Sequence, residues 1–490
     1  MLESLGILVL VLVLFFLAFL LIRTVLFGKV PPPVEQAELP EVDGNIVAEH
    51  LAAVLRHRTI SESEGKPADP QTFYALHREL ERLYPRVHAT LRVDVVNRLS
   101  LLYTWKGRDE FLEPVLLAGH LDVVPVDPET RDAWKFPAFD GHIEDGAVWG
   151  RGALDTKNSV VAILEAVETL LKQGYQPKRT ILLAFGHDEE IGGFQGAAQI
   201  AGRIQAYNAR LAAVLDEGGA ILSGGVVPGV SLPVALIGIA EKGYATLQLT
   251  VESSGGHSAM PPKHTGIGVL ARAITRLENA PLPERLHMVH RMFEHLAPFL
   301  PFGLRLAFAN LWLFRPLIAR VLSANPRTNA LIRTTTAVTM VQGGVKDNVL
   351  PARATAVVNF RLMPGDRVAD VVAYARRVIA DDAVQISLPQ GGSWEASGVS
   401  PTDSPAYLGI LQALGQVYPE AVSAPYLVAG ATDARHYQAV CDQIYRLSPM
   451  LITPEELKTI HSENEHISIE TLARMVQFYI QLIKIWGENG

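Results

Sequence analysis

Four short apolar runs constrain this chain more than any other feature: 115–119 (VLLAG), 180–186 (TILLAFG), 211–215 (LAAVL) and 234–239 (VALIGI). None alternates with polar residues, so each strand must be covered on both faces, as in a parallel sheet inside an α/β layer. Residues 158–173, between the first two runs, carry the 3.6-residue apolar spacing of a crossover helix. The pattern changes near Glu241. Residues 245–252 alternate, and a helix at 265–278, strands at 335–342 and 354–361, a helix at 367–380 and a strand at 383–388 follow. That β-α-β-β-α-β order predicts a small ferredoxin-like sheet, interrupted by residues 281–333, which are rich in Leu, Phe and Pro. The expectation is an α/β domain over 45–240 and 393–490, split by an inserted α+β domain at 241–392.

The N-terminus is a separate problem. Residues 5–22 contain no charge, and 18 residues of helix span about 27 Å, close to a bilayer's hydrocarbon thickness. A cleaved signal peptide would place Lys or Arg before the run and a small-residue cleavage site after it. Here Glu3 precedes it, Arg23 and Lys29 follow it, and no Ala-x-Ala stands nearby. Residues 1–30 therefore read as a single-span membrane anchor, with secretion after signal cleavage as the alternative, and the Pro-rich stretch opening 31–44 as a stiff linker. Residues 281–333 are apolar too, but Pro298, Pro301, Arg305, Arg315 and Arg320 break them. They read as packing helices, with a groove or membrane-surface patch for an acyl chain as the other reading.

An apolar fraction of 49% excludes a disordered chain, and a net charge of −8 without a basic run argues against nucleic-acid binding. The single cysteine, Cys441, excludes a disulfide framework and a multi-cysteine zinc site. Any metal must be held by histidines and carboxylates. No glycine cluster has the strand–GxxxxGK[ST]–helix context of a phosphate loop, so the glycine pairs read as turns.

Four segments place acids and histidines at strand ends, where open α/β sheets hold ligands. In GHLDVVP, His120 and Asp122 are two apart and project to one side of extended chain, so the carboxylate can hold the imidazole's second nitrogen. Asp155, in GRGALDTKNS, lies between a glycine-bearing loop and a helix start, where it could also cap the helix. GHDEEIGG carries three consecutive acids that repel one another unless positive charge is near. LDEGG ends a further strand on two acids. Two divalent cations bring +4, and three carboxylates with two neutral histidines return −3; a shared hydroxide completes the balance of a two-metal hydrolase. His461 is the best candidate for the second histidine. His466, five residues on, does not share its helical face, and His187 diverges from the acids beside it.

GHLDVVP, GRGALDTKNS, GHDEEIGG, LDEGG, SSGGHSAMPP, GGVKDNVLPA, NFRLMPGD, GATDAR and IHSENEHI occur in order. Over roughly residues 45–487 the chain resembles the dizinc aminoacylase and carboxypeptidase S family, especially its branch of carboxypeptidase S and N-fatty-acyl-amino-acid synthase/hydrolases. The resemblance implies a zinc-peptidase-like α/β catalytic domain with an inserted ferredoxin-like α+β lid and dimerisation domain. It implies two Zn²⁺ per chain, Mn²⁺ or Co²⁺ being compatible with the same ligands. His120 would bind one ion and His461 the other. Asp155 would bridge them, Glu190 would join His461, and Asp216 or Glu217 would join His120. Asp122 would orient His120, and Glu189 would be the general base. His257 would reach a neighbouring subunit's site and stabilise an oxyanion. Asn348 and Arg361 would hold a substrate carboxylate, and Gly430 and Asp433 would form a substrate-loop turn. The implied reaction is amide hydrolysis of N-acyl amino acids, N-fatty-acyl included, or of the C-terminal bond of short peptides. The rival readings are a plain dipeptidase or carboxypeptidase, and a non-catalytic anchored binding protein on the same fold. A homodimer through the inserted domain is expected.

Overall fold

The computed structural model describes residues 2–29, 32–63, 68–207, 209–389 and 391–488. Val30, the last residue of the expected anchor, and Pro31, the first of the expected linker, lie outside them. Ten strands form the larger sheet. Its centre is the run Ile181–Gly186, Val115–His120, Ala213–Asp216 and Ile444–Arg446, all mutually parallel. Every residue of Val115–His120 is buried, which is why this strand reads as a continuous apolar run. Helix Lys157–Lys172 crosses over between Val115–His120 and Ile181–Gly186, burying Val160, Ile163, Leu164 and Val167 under the sheet. Strands Arg92–Val96, Ser100–Trp105, Val422–Val428 and Ile444–Arg446, which the apolar runs did not signal, complete most of the sheet.

The second sheet has the order Thr335–Gly343, Arg353–Leu362, Gly243–Glu252, Val384–Ser387, with antiparallel neighbours, and Gly266–Asn279 and Val368–Ile379 are its helices. This is the ferredoxin-like arrangement the element order predicts. Its core is built by the alternating inward residues Ala245, Leu247, Leu249, Val251, Ala356, Val358 and Phe360. Helices His287–Leu296, Phe302–Ala309, Leu311–Ser323 and Pro326–Ala330 form the interrupting segment. They pack on strands Val234–Glu241 and Val422–Val428 of the larger sheet through Val289, Met292, Phe293 and Phe308.

Helix Leu2–Leu26 is long and apolar enough to cross a membrane, with a mean hydropathy of 3.4 over an 18-residue stretch of it. A small three-stranded sheet joins His466–Ser468 to Ala147–Trp149 and His142–Glu144. It carries the C-terminal segment back to the loop that precedes the crossover helix.

Candidate metal centre and substrate cleft

His120 ends one central strand, Gly186 ends its neighbour and precedes the acid turn, and Asp216 ends the strand on the other side. Three adjacent parallel strands thus deliver their terminal residues to one edge. His120 Nε2 lies 3.1 Å from Asp155 Oδ1 and 3.6 Å from Glu217 Oε1. His461 Nε2 lies 2.9 Å from Asp155 Oδ2 and 3.3 Å from Glu190 Oε2. The two oxygens of Asp155 are therefore divided between the two imidazoles, each of which has a second carboxylate beside it.

Asp122 is fully buried and holds two parts of the site together. Its Oδ1 is 3.3 Å from His120 Nδ1, and its two oxygens accept the backbone N–H groups of Glu189 (3.1 Å) and Glu190 (3.2 Å). The acid turn is then closed by Gly192 and Gly193, with φ of 110° and 68°. A Cβ at Gly193 would stand 2.0 Å from Asp433 Oδ1, so the turn can rest on Asp433 only with glycine there.

Glu465, which the sequence reading did not single out, supports the opposite wall. Its Oε1 accepts N–H groups of Gly152 (3.1 Å), Leu154 (2.7 Å) and Asp155 (3.2 Å), and its Oε2 accepts Arg151 Nη1 at 2.6 Å. Glu465 sits four residues after His461, and Gly150 N donates to its carbonyl at 2.8 Å, so one segment places both His461 and the Asp155 loop. A buried pair does the same for the loop at 430–433: Glu241 Oε2 accepts Arg446 Nε at 3.0 Å, Thr432 N at 3.1 Å and Thr432 Oγ1 at 2.8 Å.

The electrostatics are those of too many acids for the cations present. Burial, with repulsion from Glu217, Asp433 and Glu190, holds the Glu189 carboxyl well above its ordinary range against the pull of His120. Burial and then Asp155 push Glu217 up to about 8, again against His120. His461 rises to about 10 beside Asp155 and Glu190. Burial works to lower His120, but Asp122, Asp155 and Glu217 raise it well above the usual imidazole value. Among the described residues no Lys or Arg forms an ion pair with Asp155, Glu190 or Glu217; only the two histidines do. Glu190 Oε1 is buried without a partner.

A pair of divalent cations fits this donor set. Ligands at about 2.0–2.1 Å around a tetrahedral ion lie roughly 3.3 Å apart, within the 2.9–3.6 Å spread of the four imidazole–carboxylate separations. Two overlapping groups of donor atoms, each close enough to share one ion, both include His120: one with Asp155 and Glu190, the other with Glu189 and Glu217.

The sequence leaves Asp216 and Glu217 open as the partner of His120, and the structure turns one of them to it. Glu217, not Asp216, faces His120. Asp216 is the last strand residue, 2% exposed, and neither carboxylate oxygen has a hydrogen-bond partner; the next residue projects to the other side, toward the imidazole. Asp433, expected with Gly430 in a substrate-loop turn, is buried. It is 3% exposed beneath the acid turn, where burial and then Asp216 and Asp188 push its carboxyl well up.

Glu189, Glu190 and His461 line a cavity of about 550 Å³ whose wall also includes Arg361, Gly430, Trp394 and Arg435. Arg361 lies 4.7 Å above the Tyr244 ring, Tyr244 stacks on Trp394 at 4.6 Å, and Arg435 lies 4.4 Å from Trp394. The two guanidiniums thus flank a pair of stacked rings on the cleft wall. Arg435 is the last residue of GATDAR, and nothing in its spacing marks it. His257 and Asn348 do not line this cleft. They are exposed neighbours on the smaller domain, where Gly256–His257 pairs with Val349–Leu350 and Ser258 N donates to Asn348 O at 3.1 Å. His187 is held by Ser100 at 2.6 Å, and His466 stacks on Trp149 at 4.1 Å; neither joins the cluster.

The chain is 40% identical over 477 residues to the probable carboxypeptidase S-like 2 of Dictyostelium discoideum, covering 96% of this chain and 91% of that one. It is 42% identical over 455 residues to the N-fatty-acyl-amino acid synthase/hydrolase PM20D1 of Xenopus tropicalis, covering 91% and 87%. The M20 family metallo-carboxypeptidase Sso-CP2 from Sulfolobus solfataricus superposes with a TM-score of 0.67 at 18% identity, covering 90% of this chain and 99% of that one. Residues 116–485 match the family model "Peptidase family M20/M25/M40". From the paired imidazole–carboxylate centre and these relatives together, the chain belongs to peptidase family M20/M25/M40 and is a metal-dependent hydrolase.

Proposed function

We propose that this protein hydrolyses the amide bond of N-acyl amino acids, long acyl chains included, using two Zn²⁺. One would be held by His120 and Glu217, the other by His461 and Glu190, with Asp155 shared. The division of the Asp155 oxygens between His120 and His461, at 3.1 Å and 2.9 Å, carries this reading. When bound, the ions supply a Lewis acid for the amide carbonyl and lower the pKa of the attacking water.

The chain's own groups do the rest. Glu189 is raised by burial and by its acidic neighbours, which suits a carboxylate that takes a proton from the attacking water and returns it to the leaving nitrogen. Asp122 fixes the direction of both His120 and the Glu189 backbone, so the base and the imidazole keep one relative geometry. Arg361 and Arg435 suit the substrate's free carboxylate, because a guanidinium meets it bidentately. His257 and Asn348, adjacent and exposed, would enter the site from a second copy, making the inserted domain a lid and dimerisation unit.

A second cavity of about 600 Å³ shares Ile191, Phe194 and Gly391 with the cleft; Ala68, Pro70 and Leu99 line it further, with polar groups such as Ser61, Asn97, Arg98 and Gln195 beside them. The apolar part of its wall, from Ala68, Pro70, Leu99, Ile191 and Phe194, suits an acyl chain. The N-terminal helix is read as a single-span anchor, which would keep the enzyme beside substrates that partition into bilayers. A screen of N-acyl-phenylalanines from acetyl to oleoyl, alongside dipeptides, with metal analysis, tests the proposal. Rising turnover with acyl length and about two ions per chain are expected. Equal rates across the acyl series would remove the long-chain reading. A Glu189→Gln enzyme that keeps its metals and its turnover would remove the assigned base.

A further inference from the structure

The helical segment 281–333 has features that neither the core nor the cleft uses. It holds seven arginines and two glutamates, with no lysine or aspartate, a net charge of +5 in a chain whose total is −8. Helix Leu311–Ser323 buries Ile318 and Ala319 against the protein, yet its opposite side is apolar as well. Leu313, Leu317 and Val321, spaced four apart, are 40%, 58% and 62% exposed, and Trp312 beside them is 55% exposed. Phe302, on the preceding helix, is 58% exposed. The two helices meet at a 114° bend, so they cannot form one straight span. A helix facing water would be polar on that side; apolar residues flanked by exposed arginines such as Arg320 and Arg327 fit a membrane boundary.

The N-terminal helix supplies a ruler. Arg23 donates to Ala309 O at 3.1 Å, Asn310 Nδ2 to Leu20 O at 3.3 Å, and Arg305 to the carbonyls of Val25 (2.8 Å) and Phe27 (2.9 Å). Trp312 stands edge-on to Phe16 and Phe19, with ring centres 6.2 Å and 6.4 Å away. The charge-free run ends at Ile22. At ~1.5 Å per residue, Trp312 therefore lies about 4–9 Å to the apolar side of that end. This is the depth at which interfacial helices sit, about 5–10 Å into the headgroup–acyl boundary. Arg23 and Arg305 fall at the level of the headgroups.

We propose that residues 302–321 form a second membrane contact, an interfacial element that seats in the surface of an anionic phospholipid bilayer beside the N-terminal span. The catalytic body is then fixed in one orientation on the membrane rather than tethered by a free linker. This rests on reading helix Leu2–Leu26 as a span.

The full chain, with an environment-sensitive fluorophore on a cysteine at one of three positions, tests both readings separately. Cys441 is 1% exposed and stays unlabelled. Leu12→Cys reports the span, Leu317→Cys the docking face, and Phe111→Cys, fully exposed on the catalytic body, the control. The protein is reconstituted into phosphatidylcholine vesicles with and without phosphatidylglycerol, containing spin-labelled lipid as quencher. The labels at 12 and 317 are expected to lose roughly half or more of their emission, and the label at 111 almost none. Arg320→Glu with Arg327→Glu should reverse the loss at 317 in phosphatidylglycerol vesicles and leave that at 12 unchanged. Quenching at 12 with none at 317 would overturn the docking proposal and leave the span standing. No quenching at 12 would overturn both. A label at 317 shielded from aqueous quencher but not reached by lipid quencher would assign that face to a second copy of the chain, and the proposal would fall.

Discussion

Glu465→Gln should weaken both the fold and the metal centre, although residue 465 is not placed among the ligands. The carboxylate is 0% exposed and accepts four hydrogen bonds, three from the backbone of the Asp155 loop and one from Arg151, itself 4% exposed. All four partners are donors. A glutamine amide can keep its oxygen toward Leu154 N only by turning its NH₂ group against the Arg151 guanidinium, leaving a buried cation without its carboxylate. Removing one partner of a buried ion pair costs about 3–5 kcal/mol, a figure that already contains the charge-assisted hydrogen bond. At roughly 2 °C per kcal/mol for a chain of this size, the metal-loaded protein should melt some 5–10 °C lower. The Asp155 N–H is one of the groups released, so the shared carboxylate loses its fixed direction. Support groups of this kind change metal affinity by about 10–100-fold. Differential scanning calorimetry and competition against a calibrated chelator read the two effects. A variant within about 1 °C of the parent and with unchanged metal affinity would show that the Asp155 loop does not depend on this carboxylate.

The ligand beside His120 separates by paired variants: Glu217→Gln should lose one metal equivalent and at least ~100-fold in turnover, while Asp216→Asn should keep both metals, as metal analysis would show. If Asp216→Asn is the one that loses metal, the assignment is reversed. The metal-free protein should lose stability as pH rises. Glu217, held at about 8 in the folded chain against an ordinary 4.5, keeps a proton that the unfolded chain has released, so the folded state binds more protons across that window. Chelator-treated protein should therefore melt progressively lower from pH 5 to 8, and a flat or rising profile would contradict the crowding of acids. Arg361→Ala and Arg435→Ala should each raise KM for a substrate with a free carboxylate by about 10-fold or more and change it little for the methyl ester. Equal losses on both would assign these arginines to cleft packing alone.

Much of the scaffold was legible in the chain because burial on both faces imposes continuous apolar runs. Val115–His120 and Ile181–Gly186 carry almost no polar residue, and the ferredoxin-like sheet shows its alternation at 245–252. Strands at or near the edge, such as Arg92–Val96, are short and half exposed, and they left no such trace. His120 with Asp122 was readable because two residues of extended chain point one way. The choice between Asp216 and Glu217 was not, since neighbouring residues face opposite sides and only the strand's final register says which side holds the imidazole. Arg435 and Glu465 were invisible for a related reason: each acts on groups brought from elsewhere in the chain, 151–155 in one case and 394 in the other.

By itself the chain determined its layers, its crossover helix, an apolar N-terminal helix and a stock of acids and histidines at strand ends, because local periodicity and charge repulsion act over a few residues. Only the tertiary structure decided which acids meet. The cluster depends on strand order, and on a three-stranded sheet that returns His461 to Asp155, 306 residues earlier in the chain. Pairing at that separation is set by the packing of whole elements, and no local pattern encodes it.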